Sequence, residues 1–315
     1  MKAVLLTGHG GPEKLVYGDA PDPVAEPGEV VVDVYAASVN AADYKVRLGG
    51  GAYSSTGSLH FPYILGRDFS GVVSALGSGV RDFAIGDPVF GVMDQGIEGC
   101  YAEKVKIAAA IVAKKPDGLD HPEAAAMALT GITAIWAVED TARLQRGETI
   151  LIQGGAGGVA GFAIQLAKHL GATVITTASR RNHEYVRSLG ADRVIDYTAE
   201  DFTSGVAGCD VVFDTVGGDV QARSYRVLRP GGRLVWIAPG PPGLRPPRDD
   251  IEVLRPRVAR DRAHLERIKE LLAARAVWPP AIAGYRLEDA AEAHRVSEGR
   301  HLQGKLVLIV RTSPH

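Results

Sequence analysis

Cysteine is almost absent from the chain, with Cys100 and Cys209 the only two. That excludes a disulfide framework and a cysteine cluster for structural zinc. An excess of one charge is missing too, the formal net charge being -2. A nucleic-acid binder normally carries a basic excess or stripe. Long hydrophobic runs are lacking as well. The opening MKAVLLTGHG is too short for a secretory h-region, and stretches such as IAAAIVA are too short to cross a bilayer. Histidines such as His9, His60 and His121 stand singly, without the paired spacing of metal ligands. These absences leave a cytoplasmic globular protein as the simplest expectation.

What is present is enough chain for two domains, at 315 residues. The first third holds short β-type runs, KAVLLT, EVVVDVYAA, SGVVSAL and DPVFGV, separated by Gly, Pro and Asp clusters. Near Pro122 the texture turns alanine-rich and helical in EAAAMALTGITAIWAVEDTA. From Thr149 onward apolar strands alternate with amphipathic helices, which predicts a parallel sheet flanked by helices. TILI and DVVF are nearly all apolar, as strands covered on both faces should be. One further helix, RAHLERIKELLAARA, and a final strand, GKLVLIV, complete the chain.

Between TILIQ and the helix GVAGFAIQLAKHL lies Gly155-Ala156-Gly157-Gly158-Val159-Ala160, a G-x-G-x-x-A pattern. Such a pattern alone is a weak signal. At a strand-to-helix turn of a βαβ unit it predicts a dinucleotide site, because glycines let the backbone approach a pyrophosphate and the helix N-terminus favours its charge. A tight turn holding no ligand is the alternative. In an NAD-specific fold an acidic residue at the tip of the second strand binds the ribose hydroxyls. Here Thr173 to Thr177 is followed by Ala178-Ser179-Arg180-Arg181-Asn182. With no carboxylate and two guanidinium groups, NADPH is the expected cofactor, Ser179 and Arg180 binding the 2′-phosphate. A merely solvated pair of arginines is the alternative.

Taken in order, GEVVVDVYAASVNAADYKVR, FPYILGRDFSGVV, GDPVFGV, YAEKV, EAAAMALTGITA, GGAGGVAGFAIQLAKHLGA, SLGADRVIDY, LRPGGRLV and LQGKLVLIV run nearly end to end. The chain resembles the zinc-free quinone oxidoreductase and enone reductase branch of the medium-chain dehydrogenase/reductase superfamily. The resemblance implies an α/β protein: a GroES-like, β-rich catalytic domain (1–123 and 261–315) and an inserted NADP-binding Rossmann domain, a doubly wound parallel sheet (124–260). It places Asn40 and Thr133 near the nicotinamide and Gly155, Ala156, Gly157, Gly158 and Val159 at the pyrophosphate. Ser179, Arg180 and Tyr197 fall around the 2′-phosphate. Val216, Gly217 and Ala238 face the nicotinamide ribose and ring, and Gly304 and Lys305 make a closing contact. Gly217 and Gly304 have turn formation as an alternative role, and Tyr197 has packing.

The zinc-dependent branch carries Cys where this chain has Ser38, Val39 and Asn40, and Gly-His-Glu where it has Gly66-Arg67-Asp68. Zinc-dependent alcohol oxidation is therefore not expected. Quinones and enones are electrophilic already and need only hydrogen-bond donors for the developing oxyanion. Asn40, Lys45 and Tyr53 are the candidate catalytic residues, Lys45 or Tyr53 as proton donor, with water as the alternative source. Asp43 is expected to order the start of a helix. The segment KVRLGGGAYSSTGSLHF is expected to border a broad substrate space. IEVLRPRVAR, with Pro256 tolerated only at an edge or bulge, predicts an edge strand and a homodimer through it. An NADPH-binding redox sensor or scaffold without turnover is the other class of function left open.

Overall fold

Hydrophobic alternation in the first third of the chain, and in its last strands, produces one β-rich unit. The computed structural model describes residues 1–50, 59–94, 96–97 and 99–312. This unit comprises Met1–Leu129, Arg260–Glu270 and Pro279–His315. Its main sheet is centred on the eleven-residue strand Glu29–Val39. On one side that strand pairs antiparallel with Asp68–Leu76, and on the other with Lys305–Ile309. Lys104–Ala108 pairs with its first half. The core packs Val30, Val32, Val34, Leu65, Phe69 and Tyr101. A smaller three-stranded sheet contains Lys2–Leu6, Leu15–Asp19 and Tyr63–Ile64. Helix α1 (Ala41–Arg47) follows the central strand directly.

The second unit comprises Thr130–Ala259 and Leu271–Trp278. The first boundary, between Leu129 and Thr130, falls inside helix α2 (His121–Ile135). Beyond α2 the turns widen into a π-helix over Trp136–Thr141, an uncommon element that often marks functional regions. The unit's sheet has six parallel strands, β1 (Thr149–Gln153), β2 (Thr173–Ala178), β3 (Arg193–Asp196), β4 (Cys209–Asp214), β5 (Leu228–Trp236) and β6 (Glu252–Leu254). Their spatial order is β3-β2-β1-β4-β5-β6, the doubly wound Rossmann order. Ile150, Leu151 and Ile152 of β1 are all fully buried, which explains the unbroken apolar run. Helix α3 (Gly158–His169) follows β1. The edge strand expected around residues 251–260 is β6; it ends before Pro256.

Among the described residues no helix is long and apolar enough to cross a membrane. Cys100 and Cys209 are both buried, and no disulfide joins them. Burial pushes the Cys209 thiol up to about 11, so it is not a nucleophile at neutral pH.

Candidate active site

The glycine loop divides into two functions. Gly154 has φ +76, a left-handed conformation that suits glycine, and its N–H donates to Thr177 Oγ1 at 3.0 Å. A Cβ on Gly155 would lie 2.2 Å from Thr176 Oγ1, so this glycine is required by the close approach of the loop to β2. Gly157 differs. A Cβ there would meet only the Gly154 carbonyl oxygen, at 3.5 Å, and its φ of -77° suits any residue. Gly157, Gly158 and Val159 are only partly buried, and α3 begins there with first-turn N–H groups that have no intrahelical partner. Ala156 and Ala160 are buried behind them. This cradle fits a pyrophosphate.

Beyond β2, Ser179 precedes a short 3-10 turn, Arg180–Asn182, and its Oγ accepts from Asn182 Nδ2 at 3.3 Å. Arg180, Arg181, His183, Glu184 and Arg187 line a surface depression. Three guanidinium groups in one depression fit a phosphate dianion. His183 and Arg187 were not singled out in the sequence. The nearest carboxylate in register with Ala178 is Asp196, and its Oδ1 accepts from the Thr198 N–H and hydroxyl. Tyr197 beside it is 47% exposed, an open face for a base to stack on.

At the ends of β4 and β5, the loops containing Val216 and Ala238 lie together. Gly217 has φ +76, and a Cβ on it would come within 2.5 Å of the Pro239 carbonyl oxygen. Gly217 is thus demanded by the fold itself, as is Gly304, whose Cβ would lie 2.0 Å from the Ala281 carbonyl oxygen. Val216 is exposed, while Ala238 and Thr133 are nearly buried. Asp214, fully buried, accepts from the Val216 and Gly217 N–H groups through Oδ1. Among the described residues its Oδ2 has no hydrogen-bond partner.

In the β-rich unit the reactive side chains gather where the central strand enters α1. Asp43 accepts from the Asn40 backbone N–H at 2.8 Å, fixing the first turn of α1 as the sequence suggested. The same oxygen accepts from Tyr101 Oη at 2.8 Å. Tyr101 in turn lies 3.2 Å from His294 Nε2, and His294 Nδ1 accepts from Arg47 Nε at 3.3 Å. Arg47, Tyr101 and His294 are fully buried, and Arg47 also bonds the Gly10 carbonyl and Glu298. Burial, then the charge of Arg47, pushes His294 down to about 3, so the ring is neutral and accepts from the guanidinium. This chain of side chains had no local sequence signal.

Asn40 corrects one expectation. Its Nδ2 donates to Asp68 Oδ1 at 2.7 Å and to the Ser38 carbonyl at 3.3 Å, so both amide hydrogens are committed. It is not a free donor for an oxyanion. Lys305 is likewise turned inward, donating to the Val39 carbonyl at 2.9 Å and to Asn40 Oδ1 at 2.7 Å. Lys45 is different. It is half-buried, and among the described residues its ammonium has no hydrogen-bond partner. Burial, followed by the charges of Arg300 and Arg67, holds its pKa below the ordinary lysine range. Tyr53 lies outside the described residues, as do residues 51–58 of the segment thought to border the substrate.

A family model described as the alcohol dehydrogenase GroES-like domain matches residues 26–117, and one described as zinc-binding dehydrogenase matches residues 189–308. The quinone oxidoreductase from Coxiella burnetii is 35% identical and superposes with a TM-score of 0.92 over 99% of each chain. This chain belongs to the medium-chain dehydrogenase/reductase superfamily. The Escherichia coli quinone oxidoreductase complexed with NADPH matches 98% of this chain and 100% of its own, with a TM-score of 0.89 and 28% identity. The 2-methylene-furan-3-one reductase of Solanum lycopersicum is 38% identical over 78% of this chain. The chain spans less than two thirds of the length of the curated relatives it matches, 64% for that reductase.

Part of this superfamily uses zinc, and the side chains here do not fit that ion. Asp68 is fully buried and accepts from Ser38 Oγ at 2.8 Å, from Asn40 and from the Leu129 N–H. Arg67 stands where the superfamily's zinc branch has histidine, and the buried Lys305 ammonium adds a second cation. Neither a serine hydroxyl donating to a carboxylate nor two cations make a zinc donor set.

Proposed function

We propose that the protein is an NADPH-dependent, zinc-independent reductase of quinones and α,β-unsaturated carbonyl compounds. The observation that carries this reading is the open cradle at Gly157 followed, one strand later, by the arginine-lined depression at Arg180. Each fits one phosphate-bearing part of a dinucleotide, the loop its pyrophosphate and the depression its 2′-phosphate. The Escherichia coli neighbour's NADPH and the tomato relative's furanone substrate support the same reading. Oxidation of NADPH by the purified protein with a panel of quinones, enones and enals tests it.

NADPH supplies the hydride. The protein's own task is to hold the acceptor, exclude competing water and supply a proton where negative charge develops. Hydride addition to an enone leaves an enolate, whose charge sits mainly on oxygen. The Lys45 ammonium, in the field of Arg67 and Arg300, is suited to stabilise that oxygen and then protonate it. Lys45→Ala should lower kcat by roughly a hundredfold, the lower end for a positioned general acid, with a smaller change in KM. Only the protonated amine donates, so the rate of the unmodified enzyme should fall as pH rises through the lowered lysine pKa. A Lys45→Ala enzyme with unchanged kcat and the same alkaline limb would assign the proton to water or to Tyr53.

Arg180 is the proposed ligand of the 2′-phosphate, with Ser179, Arg187 and His183 beside it. Arg180→Ala should remove about 1–3 kcal/mol of the preference for NADPH over NADH. Equal affinity of the unmodified protein for both cofactors would defeat this assignment.

The uncovered edge of β6 supports a homodimer formed by strand pairing there. A monomer mass by light scattering at micromolar concentration would remove that proposal. A cytoplasmic location is part of the same reading, and imaging of the tagged full-length protein in its native cell checks it.

A further inference from the structure

Gln153 ends β1 and stands directly before the glycine loop, where the order of the doubly wound sheet switches between β1 and β4. Asp214, the last residue of β4, is its partner in register. In such sheets the nucleotide crevice opens beyond these strand ends. Gln153, Thr177 and Ser224 are all buried there. Their side chains form a directed chain. The Gly154 N–H donates to Thr177 Oγ1 at 3.0 Å, and that hydroxyl donates to Gln153 Oε1 at 2.8 Å. Gln153 Nε2 donates to Ser224 Oγ at 3.2 Å, on the short helix Asp219–Ser224. Ser224 Oγ donates in turn to the Val220 carbonyl at 2.8 Å. Main-chain groups add to the link. The Thr177 carbonyl accepts from the Gly155 N–H at 2.9 Å, and the Gln153 carbonyl accepts from Thr215 Oγ1 at 2.8 Å. Gly154 lies so close to the next loop that a Cβ on it would stand 3.0 Å from Val216 Cγ2.

We propose that Gln153 and Thr177 are positioning residues for the cofactor, holding the glycine loop in its phosphate-receiving shape before the nucleotide arrives. The Gln153 amide has one stable orientation. Turned over, its N–H groups would face Thr177, whose hydroxyl proton would then lose its acceptor. Its oxygen would draw the Ser224 proton away from the Val220 carbonyl. In the observed orientation the hydrogen bonds run head to tail, from the loop through β2 and β1 to the helix after β4. The left-handed turn at Gly154, with φ +76, is thereby fixed from below. A loop ordered in advance loses little freedom when the pyrophosphate binds, and that difference appears as affinity. Both side chains act through the backbone of the loop. The inference rests on the reading of this loop as the pyrophosphate cradle.

The test compares Thr177→Val, Thr177→Ser and Gln153→Met in calorimetric titrations with two ligands. One is NADPH; the other is adenosine 2′-monophosphate, which has the 2′-phosphate but no pyrophosphate. Thr177→Val and Gln153→Met break the chain and should bind NADPH roughly three- to tenfold more weakly, the weight of one neutral hydrogen bond. Both should bind adenosine 2′-monophosphate as the unmodified protein does. Thr177→Ser keeps the hydroxyl and should retain NADPH affinity. Unchanged NADPH affinity in Thr177→Val and Gln153→Met, whatever their melting temperatures, would reduce the chain to a structural role and overturn the proposal. An equal loss for both ligands would mean general damage to the unit and would overturn it too. Should the variants fail to fold, amide exchange in the unmodified protein decides. The Gly154 and Gly155 N–H groups should be protected without ligand and gain little on adding NADPH. Protection that appears only with NADPH would mean a loop ordered by its ligand, which contradicts the proposal. No NADPH binding by the unmodified protein overturns the reading of the loop and this inference with it. Normal binding by it and by both chain-breaking variants overturns the inference alone.

Discussion

Gly157→Val is expected to abolish NADPH binding and leave the melting temperature nearly unchanged, while Gly155→Ala is expected to lose the fold's stability first. The two glycines sit two residues apart in one motif, yet their surroundings differ. A methyl group on Gly155 would overlap Thr176 Oγ1 at 2.2 Å, and that hydroxyl is held by its own bond to the Ile152 carbonyl at 2.7 Å. Relieving the overlap should cost about 1–3 kcal/mol, as overpacking does. At Gly157 the nearest atom is 3.5 Å away, so a valine points into the space the pyrophosphate needs. Affinity should fall by about a hundredfold or more, because backbone N–H groups must touch the phosphates directly. Thermal unfolding and fluorescence titration of both variants check this. Full NADPH affinity in Gly157→Val would remove the cofactor from this loop.

Acidification from pH 7 to pH 5 is expected to cost on the order of 3 kcal/mol of stability, from two buried histidines. His294 titrates at about 3 in the folded protein and His121 at about 4, against an unfolded value near 6.5. Burial is the main cause for both. His121 accepts from or donates to Ser70 Oγ at 2.8 Å and stacks on Tyr35. Both groups are bases with depressed folded pKa values, so below pH 6.5 the unfolded chain binds more protons than the folded one. Stability is therefore full above pH 6.5 and declines as pH falls towards the folded values. Urea unfolding at the two pH values measures the difference, and His294→Asn should flatten it by about half. Equal stability at pH 7 and pH 5 would mean that the rings are protonated in the fold.

The Rossmann sheet was legible because its signals are local. TILIQ, the glycine turn and GVAGFAIQLAKHL lie within one βαβ unit, and the structure places their strand and helix at Thr149–Gln153 and Gly158–His169. The strand Ile282–Arg286 and the helix Ala290–Glu298 were not legible. The strand is an edge with mostly exposed side chains, so it lacks alternation. The helix buries Ala290, Ala293, His294 and Ser297, small or polar residues that draw no apolar stripe. Its buried histidine is stable only because Arg47 and Tyr101, 247 and 193 residues away in sequence, meet it. The same reason hid the Lys305–Asn40–Asp68 bridge, which spans 265 residues on one side and 28 on the other. Residue types alone marked Asn40 as a donor; its partners, distant in sequence, consume those donors.

The central claim is NADPH-dependent, metal-free reduction of an activated acceptor. Its most direct test is NADPH oxidation by the chelator-treated protein, followed with quinones, enones and enals and, in reverse, with NADP and simple alcohols. The account predicts turnover of at least one activated acceptor with zinc below stoichiometric content, and no alcohol oxidation. NADPH binding without turnover of any acceptor would favour a sensor, and zinc-restored alcohol oxidation without quinone or enone reduction would contradict the account outright.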